Sequence, residues 1–186
     1  MNGSFVPNSY RALIGSSRVS TGTRRALEAR DTAENPAYLP MALTPAQMSI
    51  LRAVIGRVLP QPEEARIDLA ASLDTQLHAA QGDGWRFAVL PDDRTAYARG
   101  LSTLDAEALG RHGHGFVDLA DHLQDGILAS ADSGDLQAPA PLDGAQMQRW
   151  FEDLRGDAVK LYMAHPATLA RIGYSGIGYG GDGDDK

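Results

Sequence analysis

Four side chains able to ligate a metal lie close together: His112, His114, Asp118 and His122. On a continuous helix, positions 114, 118 and 122 share one face at four-residue spacing, and imidazole with carboxylate suits a divalent transition metal there. Gly113 and Gly115 oppose helix around His114, and Asp121 reads as a cap, so a loop and a cap fit this stretch better than a metal site. His165 is the second reactive candidate. With Asp157 or Tyr162 it would make an acid–base set, but Pro166 follows it and places it at a helix end. There it suits the terminal carbonyls and the helix dipole, and no third group orients it. The glycines of Gly173-x-x-Gly176-x-Gly178 resemble a phosphate cradle in outline. A dinucleotide fingerprint needs a strand before it, and here a helical pattern precedes it. No Gly-x-Ser-x-Gly elbow occurs, and cysteine is absent, which excludes thiol catalysis and Cys-ligated zinc or iron–sulfur clusters. The residues therefore predict no catalytic, cofactor-binding or metal set. The alternative is a stand-alone helical metal protein or enzyme using His112, His114 and His122, or His165.

The bulk properties narrow the classes further. The chain has 186 residues, enough for one domain with a core plus terminal segments. Its formal charge of −7 disfavours a bulk-basic nucleic-acid binder. Ala and Leu total 49 residues against 14 for Val and Ile, a balance that favours helices. No apolar run reaches the roughly 18 residues of a membrane span.

Helix signals start at Thr44-Pro45-Ala46-Gln47, which reads as a capping box with Pro at the first helical position. Met48, Leu51, Ile55 and Val58 follow at helical spacing until Pro60 and Pro62. Leu69, Leu73, Leu77 and Ala80 mark a second helix. Trp85 to Leu90 reads as an ordered connection, and Pro91-Asp92-Asp93 opens a third helix with Tyr97, Leu101 and Leu104 on one face. Asp121-His122-Leu123-Gln124 and Asp143-Gly144-Ala145-Gln146 read as two more capping boxes. The last of these opens the strongest pattern, with Met147, Trp150, Phe151, Leu154, Ala158, Leu161 and Tyr162 on the buried side until Pro166. A short helical turn then ends at Gly173. The expectation is an all-α fold of about five helices in an irregular bundle. It divides into an extended or partly helical arm (1–40), a helical domain (41–173) and a Gly-rich tail (174–186).

The two ends carry the remaining signals. Residues 1–30 hold Arg11, Arg18, Arg24, Arg25 and Arg30 against one Glu, whereas the rest of the chain carries −11. Such a segment lacks the apolar residues to fold alone. Arg24-Arg25 invites a twin-arginine export reading, but charged residues follow where an apolar segment is required, so no signal peptide is expected. Tyr174 and Tyr179 sit in glycine-rich chain with nothing local to pack on, so this segment is either a disordered tail or one whose aromatic anchors dock on a partner. The partner-interface candidates are Arg24, Arg25, Tyr38, His165, Tyr174, Ile177 and Tyr179.

Several stretches together resemble the gluconate 2-dehydrogenase subunit 3 family over residues 38–180. They are Leu43-Thr44-Pro45-Ala46-Gln47, Leu51 through Pro60, Gly84-Trp85-Arg86-Phe87 and Phe116-Val117-Asp118-Leu119. They continue in Trp150-Phe151-Glu152-Asp153-Leu154, Tyr162-Met163-Ala164-His165-Pro166 and Ile172-Gly173-Tyr174. The resemblance implies a noncatalytic accessory subunit of a flavin-dependent sugar or polyol dehydrogenase. It implies a large partner of the glucose–methanol–choline (GMC) type that binds FAD and abstracts hydride, with electrons leaving through a cytochrome c. The small subunit would support the partner's folding, stability and export. This chain has neither the apolar export segment nor the cysteine found in some members. The implied location is the cytoplasm, or the periplasm if the chain is exported with its partner.

Overall fold

The computed structural model describes residues 6–31, 35, 37–62, 66–80 and 87–178. Among these lie eight α-helices and no strand. The helices are α1 (Asn8–Ile14), α2 (Thr21–Arg30), α3 (Pro45–Val58), α4 (Leu69–His78), α5 (Asp93–His112), α6 (Asp121–Ser133), α7 (Gly144–Ala164) and α8 (Pro166–Arg171). Short 3₁₀ turns occupy Phe116–Asp118 and Gly176–Gly178. The all-α class is as expected, but the count exceeds five. The additions are α1 and α2, where the sequence predicts an extended or partly helical arm, and α8, which it reads as a short helical turn. Their short apolar stripes explain the difference: α1 buries Tyr10 and Ile14, and α2 buries Leu27 alone. A periodicity test has almost nothing to find in such helices.

Contacts group the chain into two units, one drawn from residues 1–36, 62–68 and 160–186, the other from 37–61 and 69–159. Described residues near both termini, 6–31 and 160–178, thus fall in one unit.

In the larger unit, α3 opens with the predicted capping box. Gln47 N–H donates to Thr44 Oγ1 at 3.2 Å, and Thr44 N–H donates back to Gln47 Oε1 at 3.0 Å. Asp92 caps α5 through Thr95 N–H, and Asp143 and Gln146 cap α7 reciprocally. The third expected box does not form. Asp121 is already inside α6, its carboxylate pairs with Arg57 of α3 at 2.5 Å, and Gln124 donates to the Phe116 carbonyl. Long-range partners outcompete the local cap there. Phe87 to Leu90 is irregular chain, as expected of a connection; Trp85 and Arg86 lie outside the described residues.

The apolar faces read from the sequence point inward: Met48, Leu51 and Ile55 on α3, Leu69, Leu73 and Leu77 on α4, and Tyr97, Leu101 and Leu104 on α5. Met147, Trp150, Phe151, Leu154 and Ala158 do the same on α7. Trp150 is fully buried against α5. Its ring lies where a Cβ on Gly100 would be, 2.3 Å from two ring carbons, and it meets Tyr97 edge-on at 5.9 Å between centroids. Gly100 is therefore a packing requirement. The Tyr97 hydroxyl donates to Asp157 at 2.8 Å, and burial followed by that carboxylate pushes its pKa well above the usual phenol value.

Two fully buried carboxylates hold the irregular segments in place. Asp74 of α4 accepts from Tyr38 Oη and from the backbone N–H groups of Met41, Ala42 and Leu43. Glu107 of α5 accepts from Gln137 and Ala138 N–H and pairs with Arg111, which also reaches Ser130 Oγ and the Asp135 carbonyl. Burial alone would raise both carboxyls. The donors outweigh it and hold both below the ordinary range.

Candidate partner-docking surface

The smaller unit brings residues from the N-terminal helices and from α8 and the segment after it onto one core. Tyr10 and Ile14 lie four residues apart on α1, and with Val6, Leu27 of α2 and Ala167 of α8 they form a buried cluster. Leu13, Leu169, Ala170 and Ile177 pack around it. Tyr10 Oη donates to the Tyr174 carbonyl at 2.7 Å, a bond spanning 164 positions. Burial, and then the neighbouring Tyr174, raise the Tyr10 pKa.

Tyr174 is held from both sides of its backbone. Its carbonyl accepts from Tyr10, and its N–H donates to the Leu169 carbonyl at 2.9 Å. The ring lies over Gly176, where an added Cβ would stand 2.9 Å from the ring's Cζ and hydroxyl oxygen. Glycine at 176 is what allows the ring to lie back along the chain. The side chain is nevertheless 49% exposed, and Ile172 beside it is 56% exposed. A fixed backbone carrying exposed apolar side chains gives up little freedom when a partner covers it, which is the property of an interface anchor.

The other candidate residues occupy varied surroundings. His165 is buried; its Nδ1 caps α8 by accepting from Ala167 N–H at 3.1 Å, with Pro166 at the first helical position. An Nδ1 that accepts belongs to the neutral ring protonated on Nε2. Arg24 is half-buried and donates to the carbonyls of Ile14, Ser16 and Val19, closing the corner between α1 and α2. Arg25, its neighbour, is exposed. Ile177 packs within the unit's own core, and the Tyr38 hydroxyl is held by Asp74. Tyr179 lies outside the described residues. Sequence reasoning missed Tyr10 and Ile172. The pair Tyr10 and Ile14 was the available signal, and two residues are too few to stand out from a polar segment.

The alternative reactive sets are not assembled. His112 ends α5, Gly113 follows in the left-handed conformation at φ +72°, and His114 and His122 are exposed. Among the described residues no group of three or more His, Asp or Glu side chains converges as metal ligands. Asp157 accepts from Tyr97, and Tyr162 Oη accepts from Arg171 at 2.7 Å, so each candidate acid or base is engaged in a different local contact. The glycines at 173–178 follow helix α8, not a strand, and Gly176–Gly178 form a 3₁₀ turn. That arrangement does not fit a dinucleotide phosphate. Among the described residues no helix is long and apolar enough to cross a membrane.

A model of the family described as gluconate 2-dehydrogenase subunit 3 matches residues 45–181, well over half of the chain. No curated protein and no solved structure matches it.

Proposed function

The chain belongs to the gluconate 2-dehydrogenase subunit 3 family, and on that premise we propose that it is a noncatalytic small subunit that binds and stabilises a large dehydrogenase subunit. The companion in this reading is a flavoprotein of the GMC type. It holds the FAD, oxidises a sugar, glucoside or polyol, and passes electrons to a cytochrome c. The role of this chain is to cover the companion's surface and support its folding.

The observation that carries the reading is the presentation of Tyr174. Its backbone is pinned at N–H and carbonyl, and half of its side chain faces outward beside exposed Ile172. Large aromatic side chains fixed in this way dominate protein interfaces, and truncating one that acts as an anchor costs about 2 kcal/mol or more. The cost corresponds to roughly 30-fold in affinity.

Co-expression with a large flavin-dependent dehydrogenase subunit tests the reading. The expected result is a yellow complex that survives chromatography, with Tyr174→Ala weakening association by about that factor while the chain's helical circular dichroism is retained. A large subunit that folds, binds FAD and turns over equally well without this chain would refute it.

A further inference from the structure

We propose that residues 172–178 form a latch: seated on α1 they keep α1 and α2 folded, and a companion that covers Tyr174 holds the latch shut. The second half rests on the accessory-subunit reading, whereas the first concerns the free chain alone.

The latch begins at the end of α8. Gly173 stands in the left-handed conformation at φ +68°. Its N–H donates to the Ala170 carbonyl at 3.1 Å, while Tyr174 N–H donates to the Leu169 carbonyl at 2.9 Å. This pair of bonds is a Schellman ending, which stops a helix and redirects the chain. The chain then meets α1. Tyr10 Oη donates to the Tyr174 carbonyl, and the 3₁₀ turn Gly176–Gly178 packs against α1. Ile177 of that turn is partly buried on the cluster of Val6, Tyr10, Ile14, Leu27 and Ala167. Gly173, Tyr174, Ser175 and Gly176 are exposed. A segment with so few buried contacts, and with glycine at 173, 176 and 178, opens at lower cost than a core helix.

α1 depends on what the latch supplies. It has seven residues, its N-cap Pro7 makes no side-chain cap, and it buries only Tyr10 and Ile14. α2 has ten residues and buries Leu27. Helices shorter than about 12 residues are marginal in water without tertiary packing. Tyr10, Ile14 and Leu27 share one cluster, so uncovering it loosens both helices. The two fastenings have different effects. The Tyr10 hydroxyl fixes the backbone at Tyr174, beside α8; Ile177 supplies apolar cover to α1.

The link to docking follows from mass action. Tyr174 and Ile177 lie three positions apart on the same segment. A companion that recognises Tyr174 as the seated segment presents it binds that state and not the released one, so it favours seating and protects α1 and α2. The coupling is reciprocal: loosening Ile177 weakens docking at Tyr174.

Native-state hydrogen exchange of the full-length chain tests the latch. The variants are Ile177→Ala, Ile177→Asp, the conservative Ile177→Val, and Ser175→Asp as an exposed control. The expected result is exchange about tenfold faster in α1 and α2 for Ile177→Ala, faster still for Ile177→Asp, and near wild type for the other two, with α3 and α5 unchanged. If circular dichroism shows that the Asp variant does not fold, the Ala and Val variants decide. Wild-type protection of α1 and α2 in folded Ile177→Ala and Ile177→Asp overturns the proposal. So does acceleration spread equally over α3 and α5, which is global destabilisation. A second measurement adds the co-expressed large flavin subunit. At about 100 times its Kd, exchange in α1 and α2 should slow by up to about 100-fold. A stable complex that leaves their exchange unchanged overturns the coupling to docking. Failure to form any complex removes the accessory-subunit reading, and the free-chain exchange still decides whether the latch exists.

Discussion

Replacing Asp74 by asparagine isolates what one buried carboxylate contributes. Oδ1 accepts from Ala42 N–H at 3.1 Å and Leu43 N–H at 2.8 Å; Oδ2 accepts from Met41 N–H and Tyr38 Oη, both at 2.7 Å. An amide of the same shape has one oxygen and one NH₂. Whichever way it turns, the NH₂ faces two groups that now donate, including at least one backbone N–H. Each buried donor left unsatisfied costs about 1–3 kcal/mol, so Asp74→Asn is expected to destabilise the chain by about 3–5 kcal/mol. That is a large share of the roughly 5–15 kcal/mol by which domains are stable. The pH dependence supplies a second, independent reading. The folded-state pKa of Asp74 is lowered, so its contribution is complete above the unfolded value near 4 and is lost as pH falls through the folded value. Asparagine does not titrate. The gap between variant and wild type, from urea unfolding followed by far-UV circular dichroism, should therefore stay constant down to about pH 5 and narrow as pH falls below about 4. Glu107 titrates in both proteins and cancels in the difference. A gap below about 1 kcal/mol at neutral pH, or one that stays constant into acid, would refute the reasoning.

Other substitutions probe other parts of the structure. Gly100→Ala places a Cβ 2.3 Å from Trp150 ring carbons in a fully packed site and should cost about 1–3 kcal/mol or more, read from the urea midpoint and from the shift of Trp fluorescence. Tyr10→Phe removes the donor to the Tyr174 carbonyl, with an expected loss of about 1 kcal/mol and faster hydrogen exchange confined to the α8 region; unchanged exchange there would mean that the bond does not hold the segment. His165→Ala removes the cap of α8 and should cost about 1 kcal/mol, with turnover of the assembled complex unchanged. A loss of turnover in a normally assembled complex would instead give His165 a chemical role.

Legibility differed between the two units. The helices of the larger one were visible because each carries a long apolar stripe, and two of the three expected capping boxes formed as read. Asp121 failed as a cap because Arg57, 64 positions away, competes for its carboxylate. Asp74 and Glu107 sit inside amphipathic helices and look there like any acidic residue. Only the backbone donors brought to them from distant loops identify them as anchors. Arg24 and Arg25 were equivalent as letters; folding turned one into an internal donor and left the other at the surface.

The amino-acid sequence by itself determined the all-α class, the boundaries of the long helices and the family, because apolar period, capping residues and prolines act over a few positions and leave a local record. The tertiary structure alone decided that residues near the two ends share a core and that Tyr10 holds Tyr174 in place. Contacts between positions 10 and 174 leave no trace in either neighbourhood, and α1 and α2 become stable helices only when apolar residues from the far end of the chain complete the surface that they bury.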